Sequence, residues 1–135
     1  MTIFLDTNTC VAILNDRPPI VRARARTVGH GGERLHVPAI VAFELWFGVA
    51  KSSRAAESRQ ALAALFATFP VVAFEDDDAA IAGGVRAALA AAGTPIGPYD
   101  VLIAAQALRH GATLVTANER EFGRVAGLRI ENWAA

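Results

Sequence analysis

Cysteine is almost missing from this 135-residue chain: Cys10 stands alone, so no internal disulfide can form and a cytoplasmic setting is expected. Cys10 lies in the apolar stretch Cys10-Val11-Ala12-Ile13-Leu14 with no histidine placed to activate it, which makes it a small core residue rather than a nucleophile. Lysine is equally scarce, and Lys51, the only one, belongs to no catalytic motif. The three histidines, His30, His36 and His110, fall outside every acidic segment and read as surface or loop residues, not metal ligands. Net charge is absent as well. Thirteen basic and thirteen acidic residues cancel, so any nucleic-acid binding needs a local patch. Long apolar runs are missing too: although 53% of the residues are hydrophobic, none of the runs approaches the roughly 20 residues of a membrane span. The start, Met1-Thr2-Ile3-Phe4-Leu5-Asp6, meets a charge too early for a secretory segment. With no repeat and no low-complexity linker, residues 1–135 read as one domain.

What is present is an alternation of short apolar runs and helical stretches. A strand is predicted at about Thr2 to Leu5, then a helix from Thr7 to Asn15, and Pro18 and Pro19 open a second helix ending near Gly29, Gly31 and Gly32. A strand at Arg34 to Val37 precedes a helix from Ala39 to Lys51, and another helix runs from Ala55 to Phe69. Val71 to Phe74 reads as a strand, Asp78 to Ala92 as a helix stopped by Gly93, and Tyr99 to Arg109 as a helix. Ala112 to Thr116 and Leu128 to Glu131 complete the strands. Strands alternating with helices imply an α/β sandwich, a parallel sheet covered on both faces.

Asp6 is the most informative residue, because a carboxylate directly after an apolar strand points into the crevice where open α/β sheets bind ligands. Its alternative, shared with Thr7, is to cap the helix that follows. Glu44 shares a helical face with Ile40, Val41, Phe47 and Gly48, and Asp100 with Ile103 and Ala104. A lone carboxylate among apolar neighbours must be neutralised, paired or bound to a cation, because burying it unpaired costs several kcal/mol. The alternatives are an arginine partner for Glu44 and a capping role for Asp100. Thr113 to Thr116 ends in a polar turn that brings Thr116 and Asn118 to the edge occupied by Asp6. Oxygen donors converging from separate elements, with no cysteine or histidine cluster, suit Mg²⁺ or Mn²⁺. Arg22, Arg24 and Arg26 read as a solvated helix surface rather than a phosphate site. The run Glu75 to Asp78 reads as the cap of the helix behind it.

Leu5-Asp6-Thr7-Asn8, the Phe43-Glu44-Leu45 to Gly48 stretch, Pro95-Ile96-Gly97-Pro98-Tyr99-Asp100 with Ile103-Ala104-Ala105, and Leu114-Val115-Thr116 through Arg120-Glu121-Phe122 to Glu131-Asn132-Trp133 together resemble the PIN-domain ribonucleases, specifically the VapC-like toxins. The resemblance implies a PIN-like three-layer α/β/α sandwich with a parallel sheet. It further implies an Mg²⁺-dependent endoribonuclease site formed by Asp6, Glu44 and Asp100 with help near Asn118, and a cognate VapB-like antitoxin, through which alone DNA would be contacted. Two positions depart from the family pattern: Tyr99 stands where a small polar residue is common, and the fourth acidic position is Asn118, leaving Glu119 or Glu121 as substitutes. On this reading Asp6 and Asp100 are the principal metal ligands, Glu44 binds through water or acts as base, and Asn8 and Thr116 orient them. Tyr99 either stacks on a base beside the cut or packs on a neighbour. A haloacid-dehalogenase-like phosphatase is the rival, but it wants a second acid where Asn8 stands. A non-catalytic PIN-like binding module is the third reading. An apolar excess around Trp46, Phe47, Ile13 and Leu14 points to a homodimer face and an antitoxin groove.

Overall fold

The computed structural model describes residues 1–135. In chain order the elements are β1 (Thr2–Leu5), α1 (Thr7–Asn15), α2 (Pro19–His30), β2 (Arg34–Pro38), α3 (Ala39–Ala50), α4 (Ala55–Thr68), β3 (Val71–Val72), α5 (Asp76–Ala91), α6 (Pro98–Arg109), β4 (Thr113–Val115), α7 (Glu119–Phe122) and β5 (Arg129–Glu131). All strand pairs are parallel and the sheet order is β3-β2-β1-β4-β5. β1 therefore lies at the centre, and Phe4 and Leu5 are fully buried with Leu114 and Val115 beside them on β4. A strand covered on both faces has no solvent side, which explains an apolar run without alternation.

The strand order reverses at β1. The connections through α1 to α4 step away from β1 to one side, whereas α5 and α6 lead back across to β4, so right-handed crossovers put the two helix groups on opposite faces. This is the expected α/β/α sandwich. One core cluster runs through β1, β2 and β4 into α1, α3, α4 and α6, and a small satellite of Ala82, Val101 and Ala105 joins α5 to α6. The alanines that blur element boundaries in the sequence let those two helices approach closely. No helix is long and apolar enough to cross a membrane.

Several local expectations change. β3 covers only Val71–Val72, because Glu75 becomes an N-cap and starts α5 at Asp76. The acidic run does cap that helix: Glu75 and Asp78 exchange backbone hydrogen bonds as a capping box. Asp78 is also fully buried against Arg109. Burial alone would raise the Asp78 carboxyl, but the hydrogen bond and charge of Arg109 prevail and hold it below the ordinary range. Arg22 is not a solvated residue; it donates to the Ile13 carbonyl at 2.9 and 2.6 Å and so satisfies the end of α1. Arg24 and Arg26 are exposed, as expected of a solvated face. His36 lies inside β2, half-buried, with its ring edge-on to Phe4, rather than in a loop. Cys10 is buried in the core, and burial pushes its thiol well up, which leaves it unreactive. Ile13 is buried in the core instead of adding to a surface patch.

Candidate active site

Asp6 follows β1 and is the N-cap of α1. Its Oδ1 accepts from the Thr9 backbone N at 2.8 Å, the partner three residues on that an N-cap requires. Capping and site are thus one placement. The carboxylate is only 4% exposed, and burial raises its proton affinity against the opposing hydrogen bonds of Thr116 and Thr9. Thr9 ties this corner together, since its hydroxyl donates to the Val115 carbonyl at 3.0 Å, while the Asp6 backbone N donates to the same carbonyl at 3.1 Å.

Glu44 rises from α3 to meet α1, where the Thr7 hydroxyl donates to its Oε1 at 2.6 Å. No arginine lies within ion-pair distance of it. Its helix is less buried than its composition implies: Phe43, Trp46 and Phe47 are 50%, 43% and 60% exposed. Glu44 therefore stands half-buried at the rim of a cleft, not in the core.

Asp100 sits in the first turn of α6 and makes no capping bond there. It faces Glu121 instead. Burial, the hydrogen bond with Glu121, and the charges of Glu121, Glu44 and Asp6 together push the Asp100 carboxyl up to about 7. Gly97 leaves room for this arrangement, since a Cβ there would come within 3.2 Å of Asp100 Oδ2.

Glu121 is delivered by α7, a four-residue helix where the sequence indicated only a polar turn. Asn118 is its N-cap and donates through Nδ2 to Glu121 Oε2 at 2.9 Å. Thr116, fully buried, accepts from the Asn118 backbone N at 2.9 Å. Phe122, 1% exposed, anchors the helix in the core. Of the three candidates for the fourth position, Glu121 faces Asp100, Asn118 orients it, and Glu119 turns away to accept from Asn132.

Asp6, Glu44, Asp100 and Glu121 thus come from four elements to the end of the sheet where strand order reverses. As they stand, no three of them are close enough together to hold one ion; the charges of Glu121, Glu44 and Asp6 raise the proton affinity of Asp100. Asn8 does not join them. It is exposed and makes no hydrogen bond to any of the four. Thr7, expected at most to cap α1, and Thr9, which carried no expectation, hold Glu44 and Asp6 in its stead. The signal for Thr9 was its position three residues after a capping aspartate; nothing local marks Thr7, whose partner is 37 residues away. Tyr99 is 47% exposed and packs edge-on against Phe43 at 5.4 Å, so the packing alternative is realised while much of the ring stays open.

A parallel sheet with acidic side chains gathered at its switch point defines a class of α/β proteins, and the match of the PIN domain family to residues 3–128 gives that class its name. The chain belongs to the PIN-domain family, among the VapC ribonucleases. The tRNA(fMet)-specific endonuclease VapC of Salmonella typhimurium is 36% identical over 129 residues, 96% of each chain. The crystal structure of VapBC2 from Rickettsia felis bound to a DNA fragment from their promoter superposes with a TM-score of 0.93 at 32% identity, covering 98% of this chain and 99% of that one. DNA-bound VapBC from Salmonella typhimurium gives 0.91 at 34% identity, with 98% of each chain covered.

Proposed function

We propose that residues 1–135 form one nuclease domain, an Mg²⁺-dependent endoribonuclease that serves as the toxin of a toxin–antitoxin pair in the cytoplasm. The observation that carries this reading is the gathering of Asp6, Glu44, Asp100 and Glu121 from four elements at one end of the sheet, where burial and the neighbouring carboxylates push the Asp100 carboxyl up to about 7. The donors are all oxygen, which fits Mg²⁺ or Mn²⁺. Asp6 and Asp100 would hold the ion, with Glu44 and Glu121 completing the set directly or through water. When bound, the ion supplies Lewis-acid polarisation of a phosphate oxygen and acidifies an attacking water.

The chain's own residues do the rest. Thr9 and Thr116 fix the Asp6 carboxylate, Thr7 holds Glu44, and Asn118 holds Glu121, so the acids stay oriented toward the cleft. Glu44, half-buried and open to the cleft, is placed to take a proton from water. The phosphatase rival needs Asp6 as nucleophile, yet that carboxylate is 96% covered and tied to Thr9 N, and Asn8 offers no second acid. A non-catalytic module gives no reason for four elements to bring carboxyls to one end of the sheet.

The partner reading rests on two connected depressions. A cavity of about 770 Å³ between α2 and α4 is lined by Leu14, Leu35, Leu65 and Phe69 with Arg26 and Glu33 among its polar groups. A cleft of about 280 Å³ shares Leu14 and Ala61 with it and ends at Glu44. A VapB-like antitoxin would lay an apolar helix in the first and an extended stretch in the second, bringing an arginine or lysine to Asp6, Glu44 and Asp100. The exposed Phe43, Phe47 and Tyr99 offer a separate face for a homodimer, and DNA contact is left to the antitoxin.

The test is incubation of total cellular RNA with purified protein, with and without Mg²⁺, followed by mapping of the new ends. Discrete cuts that need the divalent ion are expected. Phosphate release from small esters without RNA cleavage would overturn the reading.

A further inference from the structure

A third depression lies on the other flank of α1. It measures about 200 Å³ and is lined by Asn8, Val11, Arg17, Ala117, Asn132 and Trp133, among others. Small-molecule sites usually measure roughly 300–1,000 Å³, so this cleft suits one flat group rather than a whole cofactor. It abuts the acidic site through shared walls. Thr9, which also lines it, donates its backbone N to Asp6, and Ala117 directly follows the Thr116 that faces the same carboxylate.

The chemistry of the lining is the opposite of the site's. The four acids repel a polyanion, so a nucleic-acid strand must be held by cations close by but outside them. Most arginines near the ends of α1 and α6 are already occupied: Arg22 by Ile13 and Asp16, Arg109 by Glu75 and Asp78, and Arg124 by the Pro95 carbonyl. Arg17 has no ion pair and no side-chain hydrogen bond. Asn8 is exposed, with its amide free to donate and accept. Val11, 39% exposed, offers an apolar floor beside the buried Trp133.

We propose that this cleft receives the nucleotide next to the scissile phosphate of a single-stranded RNA, Arg17 holding its backbone phosphate and the Asn8 amide reading its base. The proposal rests on the ribonuclease reading for its substrate class and gives Asn8 a role in selecting the cut, not in orienting the acids. An amide beside a base edge forms paired donor and acceptor contacts that distinguish one base from another, whereas an arginine on phosphate adds affinity without sequence preference.

The experiment separates the two ideas by measuring binding apart from cleavage. A fluorescein-labelled, mixed-sequence oligoribonucleotide is titrated into Asp6→Asn protein, alone and combined with Arg17→Gln, Arg17→Lys, Asn8→Ala or the distant control Arg86→Gln, over a range of salt. Arg17→Gln is expected to weaken binding about tenfold and to lower the slope of log Kd against log salt by about 0.7, the value for one phosphate contact on a single strand. Arg17→Lys should recover most of the affinity, and Arg86→Gln should change nothing. In the otherwise wild-type chain, Arg17→Gln should raise KM more than it lowers kcat, and Asn8→Ala should relax the flanking-base preference at mapped cuts. If Arg17→Gln and Asn8→Ala keep the parental affinity, salt slope and cut sites, the cleft proposal falls while the nuclease reading stands. If RNA is bound through Arg17 but never cut, the nuclease reading falls and the cleft stands. No RNA binding by the parent overturns both.

Discussion

Asp100 and Asp6 carry an unpaired electrostatic cost in the metal-free protein, and each substitution there has a signed consequence. Asp6→Asn and Asp100→Asn should both abolish divalent-dependent RNA cleavage with the fold intact, checked by end mapping beside circular dichroism. Asparagine can still cap α1, and either change removes like-charge repulsion, so melting temperature without metal should hold or rise. Cleavage at the parental rate by both variants would refute the assignment. The pH dependence follows from the same group. Asp100 is raised to about 7 in the folded chain, against about 3.9 when unfolded, so the native state keeps its proton longer. Its stabilising contribution is complete below about pH 4 and is lost as pH rises through 7. The metal-free melting temperature should therefore fall as pH rises from about 4 to about 7, and Asp100→Asn should flatten that fall; an unchanged slope would count against the raised Asp100 carboxyl. Tyr99 offers a third test. If its open ring stacks on a base, Tyr99→Ala should weaken RNA binding by about tenfold, from a stacking value of about 1 to 3 kcal/mol. Loss of an edge-on surface contact with Phe43 should cost only about 0.5 to 1.5 kcal/mol beyond the area involved. A large drop in melting temperature at unchanged affinity would assign Tyr99 to packing alone.

At the scale of elements, α7 is the weakest part with the greatest leverage. Four residues cannot hold a helix by themselves, because nucleation is costly. Two things outside it supply the order: the Asn118 cap and the burial of Phe122. Gly123 closes the turn, for a Cβ there would come within 2.5 Å of the Glu119 carbonyl oxygen. Phe122→Ala should cost about 3 to 5 kcal/mol as a buried aromatic truncation and release Glu121 from Asp100. Chemical denaturation gives the first quantity; a weaker pH dependence of the Asp100 contribution reports the second. A normal pH profile in a destabilised Phe122→Ala protein would show that Glu121 is placed by something other than α7.

The whole molecule should not be complete alone. Its exposed aromatics lie on α3 and α6, whereas the larger apolar depression lies between α2 and α4 and the cleft that leads from it to Glu44 is walled by α1, α3 and α4, so one copy of the chain and one antitoxin can be accommodated at once. Light scattering should report a mass above one chain, and a larger one with a VapB-like antitoxin bound. Titrating Mg²⁺ into the inhibited complex should partly restore cleavage, because a basic side chain and the ion neutralise the same acids. A strictly monomeric chain that gains no partner would remove both surfaces from the account, even with the nuclease site intact.

Local residue patterns were enough to give the layers of the fold and to mark Asp6, Glu44 and Asp100. Apolar runs without alternation demand strands buried on both faces, and Asp6 at the end of the first such run needs no partner to be noticed. Glu44 and Asp100 were legible for the same local reason, a carboxylate among apolar neighbours at helical spacing. Only packing distinguishes which acid lies beside Asp100. Glu119 and Glu121 are two residues apart in one polar turn, and no local pattern distinguishes them; the choice follows from Phe122 entering the core, which turns Glu121 toward Asp100 and Glu119 toward Asn132. The same holds for Thr7 and Glu44, 37 residues apart, and for Arg22, whose solvated reading failed because the end of α1 was there to receive it. Periodicity records what each segment must bury, a property of its own residues. Pairings between segments are set by chain closure and packing, which only the folded molecule contains.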